Sequence, residues 1–181
     1  MKKMFFVLAA SALSLTAVAQ KDGDVKPNIV KINPLGIIFG QGSLAYEHAI
    51  GEKNSIVLAP SFGAFSFGGF KYTSFGFGAE YRFYLSSSKT APAGFYAAPG
   101  AGFGTGTIKE TGTTDKAKFT SIYGKGVIGN QWVFNSGFVV DLNGGIQYTS
   151  FKYKDNSNSV FSGLKGNGVF PALAVAIGYN F

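Results

Sequence analysis

The feature that most constrains this chain is its last stretch, residues 169–181, V-F-P-A-L-A-V-A-I-G-Y-N-F. Counted back from the end, Phe181, Tyr179, Ile177, Val175 and Leu173 are large and apolar. The residues between them, Asn180, Gly178, Ala176, Ala174 and Ala172, are small or polar. A strand sends successive side chains to opposite faces, so this is a strand with one greasy face and one lean face. Chain ends usually fray in water, and a greasy strand that runs to the terminal aromatic is out of place there. A membrane-crossing strand needs roughly 9–11 residues, and this one is long enough.

The opposite end reads as an export signal. Lys2 and Lys3 precede an apolar stretch from Met4 to Leu15, and Ala17-Val18-Ala19 forms a small-x-small cleavage pattern before Gln20. Residues 1–19 are therefore expected to be a signal peptide, 20–27 a short polar periplasmic leader, and 28–181 a single domain. The apolar stretch is shorter than the ~18 residues of a spanning helix. The chain has no Cys, which excludes disulfides and a lipoprotein anchor. Without Lys2 and Lys3, the sixteen basic residues become fourteen against nine acidic ones, a net +5. Those cations are scattered lysines with one Arg, a poor pattern for nucleic acid.

No later segment is apolar enough for a spanning helix. An integral protein of this kind must be a closed barrel, because lipid cannot satisfy free backbone groups. Alternation predicts eight strands, at 28–39, 43–50, 55–67, 72–85, 94–104, 118–131, 138–150 and 169–181. The two longest connections are 105–117 and 151–168. Twenty-six Gly and an aromatic content of 16% suit many strands and aromatic belts. Four prolines (Pro34, Pro60, Pro99 and Pro171) fall inside these strands and predict bulges, irregularity or earlier strand ends, since proline cannot donate to a ladder.

A soluble barrel of the lipocalin kind has the same alternation but puts its large apolar residues inside. Here the face without them carries Gly, Ala and a few charges, which suits the narrow interior of eight strands. The other face is Phe, Tyr, Ile, Leu and Val, and is expected to meet lipid. Parity assigns Lys31, Glu47, Glu80, Arg82, Lys125 and Asp141 to the interior, with Gln131, Asn143 and Gln147. Three cations against three anions predict a paired internal network, since buried charges need partners. A gated pore or a titratable pair are the functional alternatives. Tyr46, Tyr81, Tyr84, Trp132, Tyr148, Phe151, Tyr153 and Tyr179 lie toward strand ends as candidates for interfacial girdles.

The Tyr179-x-Phe181 ending resembles the C-terminal sorting signal of bacterial outer-membrane barrels. The whole pattern is similar to the membrane domains of the OmpA and OmpX types, and N-P-L-G-x-x-F-G at 33–40 with S-L-A-Y-E at 43–47 resembles small outer-membrane barrels of Gram-negative bacteria. The resemblance implies an all-β, up-and-down, eight-stranded antiparallel transmembrane barrel in the cell outer membrane. It implies periplasmic chaperones and the barrel-assembly machinery as partners during biogenesis. It places both termini in the periplasm and the connections 105–117 and 151–168 outside the cell. No peptidoglycan-binding domain follows the last strand, unlike full-length OmpA.

Chemistry is sparse. The one His, His48, lies near the periplasmic end of its strand, away from the outer leaflet where barrel enzymes acting on lipid A work, and no Ser is placed to pair with it. Gly-x-Gly pairs such as Gly100/Gly102 precede no helix and make no phosphate cradle. No His/Cys metal set, cofactor site or catalytic group is expected. Lys109, Lys116, Lys118, Lys152, Lys154 and Lys165 make the outer rim basic and are candidate contacts for lipopolysaccharide phosphates. The favoured expectation is a non-enzymatic monomer with a structural or surface-interaction role, using its outer loops. The alternative is a porin-like channel or transporter for small or hydrophobic solutes, and a lipid-modifying enzyme ranks last.

Overall fold

The computed structural model describes residues 25–38, 40–112, 116–155 and 166–181. The signal-peptide reading of residues 1–19 lies outside them. Eight antiparallel strands close into a barrel in sequence order. They are β1 (Asn28–Ile32), β2 (Gln41–Ala49), β3 (Asn54–Phe67), β4 (Phe70–Tyr84), β5 (Gly94–Glu110), β6 (Lys116–Val133), β7 (Phe138–Asp155) and β8 (Asn167–Asn180). β8 closes on β1 through Ile29↔Asn180 to Ile32↔Ile177. The chain termini of the barrel, Asn28 and Phe181, share one end, here the terminal end. The strand ends Phe67, Phe70, Glu110, Lys116, Asp155 and Asn167 share the other, the distal end.

The faces separate as their chemistry requires. Outward side chains form an exposed apolar belt in which Leu173 is 80% exposed and Ile122 and Ile146 65%. Inward ones at the terminal end include buried Lys31, Glu47, Arg82 and Asp141. An outward groove of about 370 Å³ follows the small residues Ala97, Pro99, Gly126 and Gly144. At the distal end, β3 and β4 are joined by Gly68 and Gly69 alone, with φ of 57° and 83°. Two left-handed residues are what a tight hairpin needs to keep the twist of its strands.

Several boundaries differ from the alternation. β1 stops at Ile32, not at residue 39, because a short helix α1 (Pro34–Ile38) follows. Asn33 caps it by accepting from the Gly36 amide at 2.9 Å, and proline suits the first helical position. β5 runs to Glu110 and β6 begins at Lys116, so most of the expected loop 105–117 lies in strands. β7 runs to Asp155, which shortens the loop 151–168 in the same way. Thr and Lys extend these strands beyond the apolar pattern, and cross-strand pairing decides the length that hydrophobicity does not show.

Pro60 and Pro99 lie within strands without a bulge. The Ala64 amide donates to Gly40, so the even residues of β3 turn their amides toward β2. Pro60 therefore lacks a donor opposite Leu44, and pairing is interrupted between Ser43↔Ser61 and Tyr46↔Leu58 with the register unchanged. Pro99 does the same to β4, between Glu80↔Gly100 and Phe83↔Ala97.

The terminal mouth is filled. Ala91, Pro92 and Ala93, from the connection between β4 and β5, are buried. Ala93 packs with Ile29, Val133 and Val139, and Val25 covers the same cluster. The end of the leader is tied down: the Lys26 amide donates to Asn180 Oδ1 at 2.9 Å, and Ala49 donates to the Pro27 carbonyl at 2.8 Å.

Candidate functional site

Six charged side chains from β1, β2, β4, β6 and β7 meet inside the terminal half of the barrel. Lys31 Nζ uses its three donors on Glu47 Oε2 at 2.6 Å, Gln131 Oε1 at 2.7 Å and Asp141 Oδ2 at 2.8 Å. Arg82 Nη1 donates to Asp141 Oδ2 at 2.7 Å, while its Nη2 and Nε take Glu80 Oε2 at 3.0 and 3.1 Å. Its guanidinium carbon also sits 4.2 Å from the centre of the Tyr96 ring, where a cation meets the negative ring face. Lys125 Nζ pairs with Glu80 Oε1 at 2.6 Å and joins the sixth charge to the set.

Neutral donors complete the carboxylates. Ser55 Oγ and the Tyr84 hydroxyl donate to Glu47 Oε1 at 2.5 and 2.6 Å. The Tyr96 hydroxyl donates to Asp141 Oδ1 at 2.6 Å. Gln131 Nε2 reaches the Pro92 carbonyl at 2.5 Å. Among the described residues, no buried side-chain nitrogen or oxygen lacks a partner. A network satisfied to this degree is rigid, because every displaced group would leave a desolvated charge.

Ser55, Tyr84 and Tyr96 are the members that alternation did not single out. Tyr84 was a girdle candidate but is buried in the network. Its parity with Glu80 and Arg82 was the available signal. Asn143 and Gln147 lie on the same interior parity but in the partly accessible region above.

Glycines on the wall make room for interior side chains. A Cβ on Gly102 would lie 2.5 Å from the Tyr123 ring, and one on Gly129 2.7 Å from that of Tyr96. The interior above the network is partly covered at the inward residues Ser43, Ala45, Ser61, Tyr123, Ala172 and Ala174, and buried at Gly76, Gly78, Phe119 and Thr149. Aromatic rings line its distal part. Tyr72 lies 4.7 Å from Phe65 and 5.4 Å from Phe119, and Phe119 lies 6.5 Å from Phe151 and 6.3 Å from Tyr153. Phe151 and Tyr153, girdle candidates in the sequence, thus belong to an interior cluster. Trp132, another candidate, is buried at the terminal end. Tyr46, Tyr81, Tyr148 and Tyr179 are outward and exposed.

The described lysines of the rim lie on strands, not in loops. Lys71 faces Lys109 across β4 and β5, and Lys109 faces Lys116 across β5 and β6. Lys118 and Lys152 are exposed on the same outward face of β6 and β7, and Lys154 is the register partner of Lys118. Lys165 lies outside the described residues. Like charges placed directly opposite repel, so this row favours a shared anion.

His48 is exposed and its Nδ1 is 2.8 Å from Asn28 Oδ1. Among the described residues, no three His, Cys, Asp or Glu converge as a metal site. At the chain end, Tyr179 and Phe181 point outward, and the Phe181 amide donates to the Asn28 carbonyl at 2.9 Å.

Comparison with curated proteins and with solved structures gives no match. A family model matches residues 4–168, and this chain belongs to that family, described as Protein of unknown function (DUF3575).

Proposed function

We propose that this protein is an outer-membrane barrel with a structural or surface-interaction role, closed to ions by its own charged interior. The observation that carries the reading is the inversion of its faces: an exposed apolar belt outside, and a fully paired ionic network inside. In water such a belt is a large exposed hydrophobic patch, whereas in lipid it is the solvent-matched surface. The network spans from β1 across to β7 and leaves no unpaired polar group to attract an ion. Both termini then lie on the periplasmic side, and the lysine row on β4, β5 and β6 sits at the outer leaflet against lipopolysaccharide phosphates.

Planar-bilayer recording tests the closed interior. The refolded protein is expected to give no stable unit conductance. Stable steps that change in Glu80→Ala or Arg82→Ala would replace this reading with a channel.

A further inference from the structure

Neither turn geometry nor packing requires glycine at two outward positions of β6. Gly124 and Gly126 alternate with inward Tyr123, Lys125 and Val127, and both are exposed. A Cβ at either would meet no atom within 4 Å, and neither has a positive φ. Inward Gly102 and Gly129 differ, since a side chain there would strike the rings of Tyr123 and Tyr96. A glycine inside a strand weakens it, and one that the fold does not need marks a place where something outside approaches the backbone.

What these residues leave is a groove. Gly126 pairs with Pro99 on β5 and with Ile146 on β7, and Ile128 pairs with Ala97 and Gly144. These six residues line the apolar groove of about 370 Å³, a volume within the range of small-ligand sites. Gly126 and Gly144 form its floor. Ile128 and Ile146, both exposed, stand on either side.

The same wall carries cations. Lys109, Lys118 and Lys152 are exposed and outward on the three strands that line the groove. Among the described residues, no distal position of β1, β2 or β8 is charged. From the distal end, the outward face of β6 reads Lys118, Thr120, Ile122, Gly124 and Gly126. Lys118 and Gly126 are about 26 Å apart along a strand that rises ~3.3 Å per residue. A strand tilt of about 35–45° leaves roughly 20 Å of this along the membrane normal. A hydrocarbon core of ~30 Å gives each leaflet about 15 Å of chain. An acyl chain whose headgroup sits at the lysines therefore ends in the groove.

We propose that this wall docks lipid A, the phosphorylated acyl-glycolipid of the outer leaflet, with its phosphates on Lys109, Lys118 and Lys152 and one acyl chain laid over Gly126 and Gly144. The proposal rests on the membrane reading above and adds a seat for the chain to the row of lysines. Three outward cations on adjacent strands suit a headgroup with more than one phosphate, each held as a point charge. The groove below them is apolar and suits hydrocarbon.

Photolabelling tests it. The protein is refolded into phosphatidylcholine vesicles containing lipid A with a diazirine near the end of one acyl chain, irradiated, and its adducts are mapped by mass spectrometry. Phosphatidylcholine and phosphatidylglycerol carrying the same diazirine chain are run as parallel probes. Lipid A adducts are expected at Ile128, Ile146 or Ala97 in excess over Leu44 and Leu58 on the far wall, while the phosphatidylcholine probe labels both walls alike. Gly126→Leu, which fills the groove from outside, should bring the lipid A excess down to the level of the far wall. Lys109→Gln/Lys118→Gln/Lys152→Gln should do the same from the charge side. Equal lipid A labelling of the two walls, or an excess unchanged in either variant, would overturn the site while leaving the membrane reading intact. An equal excess with phosphatidylglycerol would overturn the choice of a glycolipid. Adducts on neither wall would overturn the membrane reading as well. The chain has no Cys, so Gly126→Cys gives one thiol per chain. Disulfide-linked dimers of that variant in the vesicles would put a second copy of the chain in the groove and overturn the lipid.

Discussion

Arg82 shows what a single residue does inside this barrel. It touches Asp141, Glu80, Glu47 and Gln131 at once, and it is 3% exposed. Removing one partner of a buried ion pair typically costs about 3–5 kcal/mol, because the partner charge is left desolvated. Arg82→Met should therefore lower the urea stability of the vesicle-refolded barrel by about that amount. A loss below about 1 kcal/mol would mean that water reaches the network. Gly102 makes a different argument, from volume. Its wall position leaves no room for a side chain beside Tyr123. Gly102→Val should destabilise by about 1–3 kcal/mol through overpacking, and Tyr123→Ala should recover part of that loss. Additive effects of the two substitutions would mean that the ring is free to move away. The parity of Lys31, Glu47, Arg82 and Asp141 is readable in the chain. Their mutual distances are not, since they come from strands up to 110 residues apart in sequence.

At the scale of the element, β8 and β1 are unequal partners. β8 has 14 residues and β1 only 5, so the seam depends on few ladder bonds and on the pinning of Asn180 to Lys26 and Asn28. Leu173 stands on the outward face of β8 and is its most exposed apolar residue. If that face meets lipid near mid-bilayer, Leu173→Lys should destabilise the refolded barrel by about 2–4 kcal/mol. In a water-facing strand the same change would be neutral within about 0.5 kcal/mol, so equilibrium unfolding from vesicles separates the two. The strand pattern of β8 was legible because period two is its whole signal. The early end of β1 was not, although Asn33 and Pro34 form a helix-start pair. Alternation in Val30 and Ile32 continued the strand reading past them, and the capping bond won locally.

On the scale of the whole molecule, charge is distributed asymmetrically: the lysine row lies on β4 to β7, and among the described residues the β8, β1 and β2 side has none at its distal end. Facing lysines repel by about 0.2–1 kcal/mol per pair. Lys109→Gln should therefore stabilise the barrel slightly in phosphatidylcholine vesicles and destabilise it, relative to the parent, in vesicles containing lipopolysaccharide. A change of the same sign in both would remove the anion-binding role from this row. The eight-stranded, closed, antiparallel architecture follows from the sequence by itself. Its alternation sets which face is apolar, and a chain with that alternation and no spanning helix has one way to satisfy its backbone in lipid. Only the tertiary structure decided the rest: which carboxylates share Lys31 and Arg82, that Phe151 and Tyr153 turn inward, and that β1 ends at Ile32 in a short helix. Those outcomes depend on register and closure. Period two says which face a residue takes, but strand pairing around the barrel sets which residues stand at the same height.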